Sequence, residues 1–123
     1  MWSVLVNTDI VTGMVGYRRT PTGLYESHNR QRNCTLTGVD YEVFVKYWVS
    51  VVGDIIGLHD ASWRENFGAS FYVYGGSHGC VNTPEEAMAM IWNLVEDGTP
   101  VLMHGVNQWY EPADGNPRET KNP

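Results

Sequence analysis

The sequence predicts a mainly β domain with one main helix, at about residues 84–97, set directly behind a glycine-flanked turn. Three observations carry that reading. β-Branched and aromatic residues crowd several short runs, above all Tyr41 to Val52, and such side chains suit a pleated, half-buried surface. Gly, Pro, Asn and Asp separate those runs, as turns require. Only the stretch from Thr83 onwards carries the chemistry of a helix start.

Taken in order, Trp2 to Val11 reads as one or two short strands ended by Thr12-Gly13. Thr20-Pro21-Thr22-Gly23 is a turn, and Leu24 to Ser27 begins an extended segment that fades into a polar loop, His28 to Asn33. Leu36-Thr37-Gly38 is turn-like, and Tyr41 to Val52 is strand. Gly53-Asp54 is a hairpin-type turn, after which Ile55 to Leu58 forms a short strand that delivers His59 and Asp60 at its end. Ala61 to Ser70 fits a helical turn or a loop equally well, whereas Phe71 to Tyr74 reads as strand and runs into the turn. In the helix, Thr83 is the expected N-cap, Pro84 the first helical residue and Glu86 the partner in a capping box. Its expected apolar face is Ala87, Ile91, Leu94 and Val95, with Gly98 just past the end and a last strand over Thr99 to His104. The domain is expected to span residues 1–110, with a loosely held tail over 111–123.

A chain of 123 residues with 42% hydrophobic and 18% charged content is one globular domain, able to bury its own core. Its net charge of −6 argues against nucleic acid or an anionic membrane surface as partner. No apolar run reaches the roughly 20 residues of a membrane span. The start lacks the charged and long apolar regions of a signal peptide, and its strand-like character favours a piece of a longer chain. Five Trp and seven Tyr suit a binding groove as well as a core.

Gly75-Gly76-Ser77-His78-Gly79-Cys80-Val81-Asn82 sets a thiol two residues after a histidine. A cysteine nucleophile needs a base, the base needs an orienting acceptor, and the developing oxyanion needs N–H donors. Either His59 or His78 is a candidate base, a backbone carbonyl such as that of Asp60 can orient it, and the N–H groups of His78, Gly79 and Cys80 can form the oxyanion hole. His59 is favoured, because a residue two positions from the thiol on a tight turn has little freedom to swing into line. A metal site built from His59, His78, Cys80 and Cys34 is disfavoured, since structural zinc ligands come as close pairs on two knuckles. No cofactor is called for. Cys34 is read as a buried, inert thiol, and Trp48, Trp63 and Tyr72 as core or groove wall.

These motifs in this order resemble the YkuD-type L,D-transpeptidase catalytic domain. The resemblance rests on His59-Asp60-Ala61 followed by Ser77-His78-Gly79-Cys80-Val81-Asn82. Val11-Thr12-Gly13, Thr20 to Gly23, Leu36 to Gly38, Tyr47-Trp48, Trp63-Arg64 and Gly98 to Val101 match in order. It implies a β-sandwich or barrel whose first strand is missing here. It implies Cys80 as nucleophile, His59 as base, and Ser77, His78 and Gly79 lining the site. Asn82 stands where many relatives carry Arg, and Asn82, Trp63, Arg64 and Tyr72 are expected to contact substrate.

The activity implied is attack of the thiol on a peptidoglycan tetrapeptide stem, loss of D-Ala, and resolution of the thioester by another stem's amine into a 3→3 cross-link. An L,D-carboxypeptidase would resolve the same thioester with water, and a non-catalytic peptidoglycan-binding module would keep only the groove. The intact His59, Ser77, His78 and Cys80 set speaks against the module. The implied partners are donor and acceptor stem peptides, and the implied setting is a monomer in a bacterial cell envelope.

Overall fold

The computed structural model describes residues 3–14, 18–38, 41–68 and 76–104. Six strands and one helix are formed among them: β1 Gly23–Glu26, β2 His28–Thr37, β3 Glu42–Val52, β4 Ile56–Asp60, β5 Val81–Thr83, α1 Glu85–Leu94 and β6 Pro100–Met103. They make two sheets. β1 pairs antiparallel with β6, and the larger sheet runs β2-β3-β4-β5, with β4 and β5 parallel. Among the described residues the two sheets are not joined into a closed barrel, and the expectation of a mainly β domain with one main helix is met.

β3 organises the larger sheet. Its alternation sends Val45, Val49 and Val51 to one face, where with Val81, Ala87 and Met88 they form the core. α1 packs over β3 and β4 on that side. Trp48 and Ser50 point to the opposite face and are also buried. A strand covered on both faces reads as a continuous apolar run, which is why Tyr41 to Val52 stands out in the sequence. Gly53 then turns the chain with φ +56°, and Gly57 lets β4 approach closely. A Cβ at Gly57 would lie 2.2 Å from the Val49 carbonyl oxygen and 2.9 Å from the Trp48 ring.

Several expectations are corrected. Residues 3–10 form no strand; Val11 and Gly13 make isolated bridges to Asn82 and Ser77 instead. The segment His28 to Asn33 is not a loop but the first half of β2, and Leu36-Thr37 ends that strand. β2 carries little apolar signal because it lies at the sheet edge and most of its residues are exposed. Backbone pairing to β3, with an irregularity at His28–Gln31, holds it. Thr83 does not cap α1. It is a buried β5 residue whose hydroxyl donates to the Val81 carbonyl, so Pro84 occupies the cap position and no side-chain cap forms. The buried face of α1 is Ala87 and Met88; Leu94 is 53% exposed and Val95 has left the helix. The expected strand at Phe71 to Tyr74, the tail over 111–123 and Tyr72 lie outside the described residues.

Candidate active site

Sheet register builds the site. Trp48 pairs with His59, and His59 with Asn82, so the three side chains stand in one row across β3, β4 and β5 on the face away from α1. Ser50 pairs with Gly57, and continuing the β4–β5 register by one residue puts Cys80 beside Gly57. Gly57 has no side chain, which leaves that place to the thiol. Cys80 Sγ donates to the Ile55 carbonyl at 3.5 Å.

His59 is 4% exposed, with its ring stacked on Trp48 (5.9 Å, 16°) and tilted against Trp63 (5.9 Å). Nδ1 donates to the Asp60 carbonyl at 2.7 Å. A carbonyl only accepts, so the proton sits on Nδ1 and Nε2 carries the lone pair. Burial pushes the His59 pKa down, opposed by that carbonyl and by the Asp60 carboxylate. Burial likewise pushes the Cys80 thiol up, opposed by a backbone hydrogen bond from Gly57. At neutral pH the resting pair is therefore a thiol and a neutral imidazole, not an ion pair.

The turn is fixed from several directions. Ser77 Oγ donates to the Cys80 carbonyl and accepts from the Gly79 N–H at 3.1 Å. The Ser77 N–H donates to the Thr12 carbonyl, and the Met14 N–H donates to the Ser77 carbonyl. Ser77 is thus a structural pin of the turn. The Gly79 N–H, expected to serve the oxyanion hole, donates instead to Ser77 Oγ in this structure. Gly79 itself has φ +131°, a conformation that favours glycine. His78 is exposed on the rim, with its ring 4.7 Å from that of Tyr41.

A cleft of about 250 Å³ is lined by Tyr41, His59, Trp63, Arg64, Cys80 and Asn82 among others, with Ser77 and His78 also on its wall. It brings together every expected site residue that the structure describes except Gly79, a buried residue of the turn itself. Arg64 and Asn82, both on the cleft wall, are bonded to each other. With its oxygen turned to Arg64, the orientation that satisfies both groups, the Asn82 amide accepts from Nε at 3.2 Å and Nη2 at 3.3 Å. Burial lowers the Arg64 pKa. Among the described residues no group of three His, Cys, Asp or Glu is placed to hold a metal ion.

Sequence reasoning passed over what two side chains do. Thr20 is 2% exposed, and its hydroxyl accepts from the Gly13 N–H at 2.9 Å and donates to the Gly79 carbonyl at 2.7 Å, stitching the Thr-Pro-Thr-Gly segment to the thiol turn. The buried Asp60 carboxylate accepts from the Lys46 N–H (3.0 Å) and the Tyr47 N–H (2.8 Å). Its position next to His59 was the available signal.

Residues 2–103 match the family profile of the YkuD L,D-transpeptidase catalytic domain. The chain belongs to that family. Two Enterococcus faecium structures are similar to this YkuD domain. One is a cysteine-to-serine L,D-transpeptidase variant, 37% identical, with TM-score 0.75 over 80% of this chain and 40% of that one. The other is a catalytic domain acylated by ertapenem, 37% identical, with TM-score 0.70 over 80% and 79% of the two chains. An L,D-transpeptidase from Mycobacterium tuberculosis, 24% identical and covered to 41% with TM-score 0.68, shares the fold. The YkuD domain thus spans less than half the length of the first and third of these proteins. No curated protein sequence matches it. Among the described residues no helix is long and apolar enough to cross a membrane.

Proposed function

We propose that this domain is a cysteine-dependent peptidoglycan L,D-transpeptidase. Cys80 attacks the amide carbonyl between the third residue and the terminal D-Ala of a tetrapeptide stem. The Sγ–C bond forms and the C–N bond breaks, while the thiol proton passes through His59 Nε2 to the departing D-Ala amine. An amine from a second stem then displaces the sulfur, giving the 3→3 cross-link. The observation that carries the reading is the His59 Nδ1 bond to the Asp60 carbonyl. It leaves Nε2 as acceptor in the cleft that also holds Cys80. A resting neutral pair suits this route, since the base must be unprotonated before attack. With Gly79 engaged, the backbone N–H groups of Cys80 and His78 are the donors assigned to the oxyanion. The substrate places the domain outside the cytoplasmic membrane, in a bacterial envelope, where we expect it to act as a monomer.

The test is intact-protein mass after incubation with a carbapenem. A covalent adduct is expected on the wild type and its absence on Cys80→Ala. An adduct that survives the substitution, or none on folded wild type, sinks the proposal. His59→Gln should slow adduct formation by about 100-fold or more, and His78→Gln should have a much smaller effect. Supplying a tetrapeptide stem with and without an amine acceptor separates transfer from L,D-carboxypeptidase hydrolysis.

A further inference from the structure

A proton route through His59 puts a positive charge on a ring that is buried in the sheet, and burial opposes that charge. What faces the ring decides the cost. The Asp60 carboxylate beside it in β4 favours the cation. Cys80, Tyr41, His78 and Arg64 line the same cleft, Arg64 as a like charge. From β3 the ring meets Trp48, parallel to within 16° at 5.9 Å, a separation at which an aromatic face attracts a cation. Trp63 stands at 5.9 Å as well, but tilted by 39° and half exposed.

The Trp48 indole is held from several sides. Alternation along β3 puts Trp48 and Ser50 on one face, both buried, and Trp48 Nε1 donates to Ser50 Oγ at 2.8 Å. The hydroxyl in turn donates to the Asp54 carboxylate at 3.4 Å, which His28 Nε2 approaches to 3.6 Å. Gly57 leaves the room that the ring occupies. A leucine would fill the same space with no buried N–H to satisfy. The chain from Trp48 through Ser50 to Asp54 instead ends on a negative charge, and it polarises the indole so that the face turned to His59 is richer in electrons.

We propose that Trp48 is a positioning residue of the reaction, which holds the His59 ring in line and stabilises the imidazolium formed when Nε2 takes the Cys80 proton, with Ser50 and Asp54 aiming the indole. The inference rests on the thiol–imidazole route of the transpeptidase reading. The cation lasts until Nε2 passes that proton to the departing amine. Because the resting imidazole is neutral, the attraction grows only as charge develops, and it lowers the barrier rather than the ground state.

Acylation by a carbapenem, timed by intact-protein mass between pH 5 and 9, tests this on Trp48→Phe, Trp48→Leu and Ser50→Ala. Trp48→Leu should lower the plateau rate about five-fold and move the acid limb down by about half a pH unit, because an imidazolium without its partner gives up its proton more readily. Trp48→Phe should fall between Leu and wild type. Ser50→Ala keeps the indole, unpairs its N–H, and should move both quantities the same way by less. Packing alone predicts the opposite sign, since opening the site to water raises the pKa of the histidine. An acid limb that stays in place or moves up in the Trp48 variants therefore overturns the assignment. If those variants do not fold, an unchanged profile in Ser50→Ala overturns it. Alkylation of Cys80 by iodoacetamide at pH 7, followed by peptide mass, needs no acyl donor and should slow in the same variants. A wild type that takes no carbapenem but keeps that pattern sinks the transpeptidase reading and retains the stack, whereas equal alkylation of wild type and Trp48→Leu overturns the stack itself.

Discussion

Thr20 shows how one hydroxyl can decide the geometry of a site it does not enter. Its Oγ1 joins two backbone groups that come from segments 59 residues and seven residues away, and one of them is the carbonyl preceding Cys80. Thr20→Val removes the hydroxyl at nearly constant volume and strands a buried donor at Gly13 and a buried acceptor at Gly79. At about 1–3 kcal/mol for each unsatisfied group, the variant should lose roughly 2–4 kcal/mol in urea unfolding and acylate more slowly. Thr20→Ser keeps the oxygen and should recover most of both. Unfolding curves that superimpose for wild type and Thr20→Val would show that the turn does not depend on this bridge. The Thr-Pro-Thr-Gly motif is visible in the sequence, but a hydrogen bond between segments so far apart is not, because local spacing holds no information about which distant carbonyl lies above a threonine.

At the scale of elements, β4 does two jobs with adjacent residues. Where the β3–β4 pairing reaches Trp48 and His59, the Asp60 carboxylate takes the N–H groups of Lys46 and Tyr47, while its own carbonyl orients His59. Asp60→Ala leaves those two amides without their acceptor and should cost about 2–5 kcal/mol. Asp60→Asn, which keeps one acceptor oxygen, should cost less. Chemical denaturation of the three proteins checks the order, and equal stability for Ala and wild type would refute it. β3, the Gly53 turn and the delivery of His59 at a strand end were legible because burial on both faces leaves an unbroken apolar run and a turn leaves glycine. β2 was not legible, since an exposed edge strand needs no apolar pattern. Arg30 and Arg32 lie against the Trp92 ring there at 4.2 and 5.7 Å, and Trp92 Nε1 donates to the Gln31 carbonyl. The helix was legible as an element. Its cap was not, because tertiary pairing had already claimed Thr83 for β5.

Across the whole molecule, burying the His59–Cys80 pair couples activity to stability through pH. The His59 pKa is depressed below its ordinary 6.5, mainly by burial. As pH falls through 6.5 the unfolded chain takes up a proton that the folded one resists, so this contribution to stability is present above 6.5 and is lost on acidification. Cys80 and Cys34 are both raised above the ordinary 9.0, mainly by burial. As pH rises past 9.0 the unfolded chain ionises first, and stability falls again. Thermal unfolding should therefore show a plateau between these limits with decline on both sides. Removing the imidazole removes its share of the acid decline alone: between pH 7 and 5 the Tm of His59→Gln should drop less than that of wild type. Wild-type acylation by a carbapenem should hold as pH falls through 6.5 and decline only on further acidification, because the folded imidazole takes its proton later than an ordinary histidine. Parallel Tm profiles for the two proteins would mean that His59 titrates as it does in the unfolded chain, and the depression of its pKa by burial would then have to be abandoned.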